Sequence, residues 1–151
     1  MAVFNALNIS ASGMTAQRLR LDLISQNIAN VNTTRDENGN VYRRQVAVFQ
    51  ERQPDATSFG NMLELSANGI TAGTGRGVIV SAIAEDHVTA MKKVYDPSHP
   101  DADEDGYVTY PNVNTVTEMT NLIDATRSYE ANVTAFNATK NMLLKGLEVG
   151  K

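Results

Sequence analysis

Hydrophobic residues recur along the first 33 positions with the period of a helix. Leu7, Met14, Leu21 and Ile28 fall at strict seven-residue intervals, and Phe4, Ala11, Ile24 and Val31 lie three or four positions away, beside that stripe or continuing it. Asn8, Thr15, Asp22 and Gln26 face elsewhere, and the segment holds no proline and one internal glycine, Gly13. The stripe is thin. Gln17, Arg18 and Ser25 stand where a second apolar column is expected, while Ile9, Leu19 and Leu23 fall on another side. A thin stripe with a separate apolar patch predicts a helix packed among several neighbours in coiled-coil fashion, not one lying on a large core.

The last third has the same character. Met119, Leu122, Thr126, Tyr129, Val133, Phe136, Lys140, Leu143 and Leu147 follow alternating steps of three and four, with no proline after Pro111 and no glycine until Gly146. Thr115-Val-Thr-Glu118 has the form of a capping box, in which the threonine hydroxyl accepts from the Glu118 backbone and the carboxylate returns to the cap. Thr126 and Lys140 interrupt the seam, although a lone lysine there can fix register. Either helix alone is marginal in water, because most helix stability comes from packing one face on a partner.

Between the helices the period changes to two. Val41–Phe49 and Gly77–Ala84 are rich in β-branched residues and predict strands; His87–Tyr95 and Gly106–Tyr110 are shorter candidates. Asn38-Gly39, Gly60, Gly69, Gly73 and Gly75 mark turns, and 61–76 reads as loop. The pattern predicts an α+β fold: long N- and C-terminal helices, 1–33 and 113–151, form a coiled-coil stalk. A small β-rich insert domain, 34–112, lies between them and includes an acidic turn at 96–106. Asn-Val-Asn-Thr occurs at both joints, Asn30–Thr33 and Asn112–Thr115. Asn30 and Asn32 suit a helix C-terminus, and Asn114 or Thr115 suits the N-cap of the next helix. If the helices pair antiparallel, the two copies meet at a neck, and a hinge is expected there.

Composition narrows the chemistry. Leu, Ile, Val and Phe make 35 of 151 residues, only slightly above the ~20% level at which chains tend to stay disordered. Two long stripes therefore flank an insert too small to bury both fully. Internal core and intermolecular packing both stand as readings of Leu7, Met14, Leu21, Ile24, Ile28 and Val31, and of Met119, Leu122, Tyr129, Val133, Phe136, Leu143 and Leu147. A formal charge of -4 leaves no basic footprint for nucleic acid. The absence of cysteine excludes disulfides, thiolate metal sites and cysteine nucleophiles. Met1–Ser12 has no basic stretch followed by an apolar run, so no cleaved signal peptide is expected, and no run approaches the ~20 apolar residues of a membrane span.

Asp101-Ala-Asp103-Glu-Asp105-Gly106 matches the opening of a calcium-binding EF-hand loop. The twelfth position, however, is Asn112 where a bidentate glutamate belongs, and Pro97, Pro100 and Pro111 replace the flanking helices. A solvated acidic turn is the plainer reading. The competing function is a soluble coiled-coil adaptor that takes calcium at 101–106. His87 and His99 lack metal-ligand spacing, and Gly73-Thr-Gly75-Arg-Gly77 lacks the Lys-Ser/Thr of a phosphate loop. No nucleophile–base pair, cofactor site or small-molecule substrate site emerges, so an enzyme is not expected.

Ile9–Arg35 (ISASGMTAQRLRLDLISQNIANVNTTR) resembles the N-terminal signature of the flagellar axial proteins, the rod and hook subunits. Tyr95–Asn114 (YDPSHPDADEDGYVTYPNVN) and Thr117–Lys151 resemble the rod members, and the likeness in length runs end to end. Longer distal-rod and hook relatives would need a much larger middle. The resemblance implies a bacterial flagellar basal body and export through the flagellar type III apparatus. It further implies helical assembly with copies of itself and other rod subunits into a rod that spans the periplasm. The terminal helices would then form an inner coiled-coil layer, with the insert outside. Polar-diluted seams fit a subunit that orders its helices on meeting the growing end, and head-to-tail, non-closing contacts generate open helical assemblies.

Overall fold

In a computed structural model the described residues are 2–35, 39–52 and 76–149. Their elements run α1 (Ala2–Ala29), β1 (Gln45–Glu51), β2 (Val78–Glu85), β3 (Lys92–Tyr95), β4 (Tyr107–Tyr110) and α2 (Thr115–Val149). This is an α+β chain with terminal helices and two small sheets between them in sequence. The turn assigned to Asn38, the glycines Gly60, Gly69, Gly73 and Gly75, and the loop over 61–75 lie outside the described residues.

The strands follow the period-two segments with shifted boundaries. β1 starts at Gln45 and not at Val41; just before it, the Arg44 N–H turns out of the ladder to the Asn112 side chain, although its carbonyl still accepts from Asp86 N. β1 pairs with β2. Asp86 N donates to Arg44 O and Arg52 N to Gly77 O, so the start of β1 meets the end of β2 and the pair is antiparallel. β3 and β4 form an antiparallel hairpin with Val94 opposite Val108 and Tyr95 opposite Tyr107. Alternation separates its faces: Val108 is fully buried, while Tyr95 and Tyr107 are exposed and meet edge to face at 5.3 Å.

The chain forms two compact units. Among the described residues, the first draws on 2–17, 49–52, 76–81 and 128–149. In it Ser10 and Ala16 of α1 are buried. Gly13 comes so close to α2 that an added Cβ would stand 2.7 Å from Asn132 Oδ1. Ser12 Oγ donates to Ile9 O at 2.7 Å and accepts from Val78 N at 3.1 Å, tying α1 to the start of β2. Gly77, at φ +100°, precedes that strand in the left-handed region that favours glycine.

The second unit comprises 18–48 and 82–127. Its buried apolar residues are Leu23, Ile24, Val108, Pro111 and Ala125; beside them Asn27, Asn112 and Glu118 are buried polar groups. Three of these eight buried residues thus depend on hydrogen bonding, since a buried polar group is tolerated only when its partners are supplied.

Candidate functional site

The buried polar groups of the second unit form one connected junction. Glu118, in the first turns of α2, is 1% exposed, and its Oε1 accepts from Arg44 Nε at 2.9 Å and lies 2.8 Å from Arg44 Nη2. Asn27 Nδ2 donates to Glu118 Oε2 at 3.2 Å, and Asn121 Nδ2 to Oε1 at 3.3 Å. Asn27, 0% exposed, uses all four of its hydrogen-bonding capacities. Nδ2 donates to Glu118 and to Gln45 O at 2.9 Å, and Oδ1 accepts from Gln45 N and Tyr42 OH, each at 2.9 Å. Burial, then the charges of Glu118 and Glu85, push the Tyr42 phenol above its ordinary pKa, so it stays a neutral donor.

Asn112 extends the junction. Its Oδ1 accepts from Arg44 N at 2.9 Å, and its Nδ2 donates to Asp86 O at 2.8 Å and Thr89 O at 3.2 Å. Arg44 Nη1 lies 3.9 Å from Asp86 Oδ2. The Asp86 carboxylate accepts from the Thr89 backbone, the Thr89 hydroxyl and the Val88 backbone. These bonds, the Thr89 backbone N–H first, hold its pKa below the usual carboxylate range, with Arg44 adding to them. Five chain segments thus share one hydrogen-bonded network: the end of α1, the lead into β1, the turn after β2, the approach to α2 and α2 itself.

The helix ends flank this network. Asn30 closes α1: its backbone N and its Nδ2 both donate to Gln26 O, while Thr33 N and Oγ1 donate to Asn30 O and Oδ1. Asn114 opens α2, its Oδ1 accepting from Val116 N at 3.0 Å and Thr117 N at 3.3 Å. The capping box expected from Thr115 to Glu118 is therefore replaced. With the cap one residue earlier, Thr115 is the first helical residue and Glu118 falls one past the reciprocal position, so its carboxylate turns to Arg44 and Asn27. The two Asn-Val-Asn-Thr copies line one open groove of ≈ 640 Å³, with Val31 and Asn32 from the first and Val113, Asn114 and Thr115 from the second.

The predicted seam residues separate into three groups. Ile24 is buried. Leu7, Met14, Leu21, Ile28 and Val31 on the N-terminal side, and Leu122, Tyr129, Val133, Phe136 and Leu143 on α2, are half-buried. Met119 and Leu147 are 57% and 71% exposed. The fully buried apolar positions of the helices also include Ala16, Leu23 and Ala125, which the stripes omit. Sequence reading also missed Asn27, Tyr42, Arg44 and Asn112. One usable signal was present: Gly13, Arg20 and Asn27 make a small and polar column of seven-residue period, offset from Leu7–Ile28.

The acidic turn is organised quite differently. Asp101 accepts from Thr34 Oγ1 at 2.8 Å and pairs with Arg35 at 3.5 Å. Asp103 Oδ1 accepts from Tyr107 N at 2.7 Å and Asp105 N at 3.2 Å. Asp96 accepts from Ser98 N and Oγ, which lower its pKa. Gly106, at φ +78°, closes the turn. Asp101, Asp103 and Asp105 do not converge as an EF-hand requires, the would-be twelfth ligand Asn112 is committed to Arg44, Asp86 and Thr89, and among the described residues no group of three His, Cys, Asp or Glu is placed to hold a metal ion. His99 Nδ1 accepts from Asp101 N, and His87 lies beside Glu85 at the surface. Nor, among these residues, is any helix long and apolar enough to cross a membrane.

Comparison with known proteins places the chain in a family. Residues 7–35 match the family described as "Flagella basal body rod protein", and residues 104–149 match "Flagellar basal body rod FlgEFG protein C-terminal". The flagellar basal-body rod protein FlgC of Bacillus subtilis is 48% identical over 155 residues, covering 100% of both chains. Its counterpart in Borreliella burgdorferi is 44% identical over 154 residues, covering 99% of this chain and 98% of its own. That of Salmonella typhimurium is 38% identical over 151 residues and covers 100% of both. The chain belongs to the FlgC family of flagellar basal-body rod proteins.

Proposed function

We propose that this structural, non-enzymatic rod subunit assembles helically through its terminal helices, 1–33 and 113–151, with residues 34–112 as the outer insert. The subunit passes through the flagellar type III export apparatus. It joins copies of itself and other rod subunits across the periplasm and transmits torque mechanically.

The observation that carries this reading is the position of the apolar heptad. Within the chain, α1 meets α2 through Gly13 in the first unit and Asn27 in the second. Leu7, Met14, Leu21 and Ile28 remain only half-buried. A continuous stripe with seven-residue period that its own chain leaves half-open suits a further helix packing knobs into holes. Met119 and Leu147, more exposed still, extend the available apolar surface on α2. The junction at Asn27, Arg44 and Glu118 then serves as a stiff neck and not as the hinge expected from the repeated tetrapeptide, because its groups are held by several hydrogen bonds at once.

The test is Leu21→Asp. Purified basal bodies from cells carrying it should lack the chain and motility should be lost, because a carboxylate on the stripe resists burial between subunits. The β3–β4 hairpin, observed by NMR on the isolated chain, should keep its parent shifts. Normal swimming by cells whose basal bodies contain Leu21→Asp would refute the interface.

A further inference from the structure

His99 stands apart from the junction, in the turn between β3 and β4, and holds that turn with a bond only a neutral imidazole can make. Its Nδ1 accepts from Asp101 N at 3.1 Å, so the ring proton sits on Nε2. Its backbone is tied in on both sides: His99 N donates to Asp96 O at 3.3 Å, and Ala102 N donates to His99 O at 3.1 Å. Asp101 is half-buried and turns its carboxylate to the chain that leaves α1. It accepts from Thr34 Oγ1 at 2.8 Å and lies 3.5 Å from Arg35 Nη1. One imidazole nitrogen therefore seats the backbone of the residue that fastens the turn to 34–35.

Protonation places a second N–H on the ring. Nδ1 then becomes a donor facing the Asp101 N–H, and the bond between them is lost. The charged and titratable groups around the ring are the carboxylates of Asp96 and Asp101 in its own turn, Arg35 behind Asp101, and the phenol of Tyr110 on β4. The Tyr110 ring meets the imidazole edge to face at 6.5 Å. Whatever balance these charges strike, protonation takes the acceptor from the Asp101 N–H. A half-buried N–H without an acceptor is unfavourable, so the turn opens until water reaches it.

We propose that His99 is a pH-operated latch on this turn. With the imidazole neutral, Nδ1 seats the Asp101 N–H and the Asp101 carboxylate is held against Thr34 and Arg35. With the imidazole protonated, the turn opens at 99–101 and that attachment loosens. Histidine changes charge between about pH 5 and 8, so the latch is closed at the upper end of that range and open at the lower. The bonds from Tyr107 N and Asp105 N to Asp103 do not involve the ring, and the β3–β4 ladder stays formed in both states. The latch lies within the insert and does not depend on how α1 and α2 pack.

NMR on the full-length chain from about pH 8 to 5 tests it. As the His99 Cε1–H shift moves to its protonated value, the protection factor of the Asp101 amide should fall about five- to tenfold, the scale of one backbone hydrogen bond. Protection across the β3–β4 ladder should hold. His99→Asn keeps an oxygen acceptor near the Nδ1 position and has no proton to gain, so its Asp101 protection should stay level over the same range. Unchanged Asp101 protection across the full His99 titration overturns the latch. So does a fall that takes the whole ladder with it, or one that persists in His99→Asn. If His99→Asn does not fold, the titration of the parent chain decides alone.

Discussion

The second unit contains two concentrations of acid that obey opposite rules. In the junction, one carboxylate, Glu118, is enclosed and shared by Arg44, Asn27 and Asn121 from three separate segments. In the turn, Asp96 and Asp103 lie at the surface and accept from residues within four positions of themselves. Asp101 reaches further, to Thr34 and Arg35, but does so alone. The first arrangement ties distant chain segments together at the cost of desolvating a charge. The second fixes only a local path of the backbone and leaves the charges hydrated. Acid density along the sequence therefore says little about which acid matters to the fold; the isolated Glu118 does more than the acid-rich 96–105.

Three perturbations would break or sharpen that contrast. The largest effect is expected from Asn27→Leu, which leaves Gln45 N–H and C=O unpaired and takes a donor from Glu118. A loss of about 3–5 kcal/mol is expected from several buried groups left unsatisfied, read from the denaturant midpoint. A loss under ~1 kcal/mol would mean that water replaces the amide and that the junction is not sealed. Asp103→Ala should cost less, about 0.5–1.5 kcal/mol, since it removes an exposed turn acceptor for Tyr107 N and Asp105 N. If Asp103→Ala proved the more damaging of the two, the ranking of shared over local acids would be wrong.

The smallest effect concerns Asp86, which sits between the two types. Its carboxyl is held below the usual range by the Thr89 backbone and hydroxyl, the Val88 backbone and Arg44. A depressed folded-state pKa contributes stability above the unfolded value of ~3.9, and that contribution fades as pH falls through the lower folded value. Carboxyl ¹³C titration by NMR should find Asp86 below an ordinary aspartate, and Thr89→Val should raise its midpoint without reaching the ordinary value, because the Thr89 N–H remains. A midpoint unmoved by Thr89→Val would assign the shift to the backbone and Arg44 alone.

Local rules made the scaffold readable. Seven-residue spacing located both helices, and β-branched alternation placed Val46/Val48 and Val78/Val80 in strands. The terminal helix capped by Asn114 was legible to within one residue, and that residue decided the fate of Glu118: a one-step shift of the cap turned an expected local bond into a bond with a side chain 74 positions away. The junction itself was not legible. Asn27 belongs to the seven-residue column of Gly13 and Arg20, and Asn112 opens the second tetrapeptide, but no local period reports that the two converge with Arg44. The metal-like spacing of Asp101, Asp103 and Asp105 says little about where their side chains go: Asp103 turns to the backbone of Asp105 and Tyr107, and Asp101 to Thr34 and Arg35.

Gly77 and Ser12 carry a consequence for how this sequence can drift. Any Cβ at position 77 would stand 2.1 Å from Ser12 Oγ, and φ +100° separately penalises every residue with a Cβ. Trimming Ser12 to glycine would relieve the collision but not the backbone penalty, and would remove the acceptor for Val78 N. No single compensating change therefore opens position 77 to substitution. Ser12 is less constrained, since alanine there forfeits hydrogen bonds without creating a clash. Over long divergence the pair should become asymmetric, with one position free to wander slowly and the other held in place.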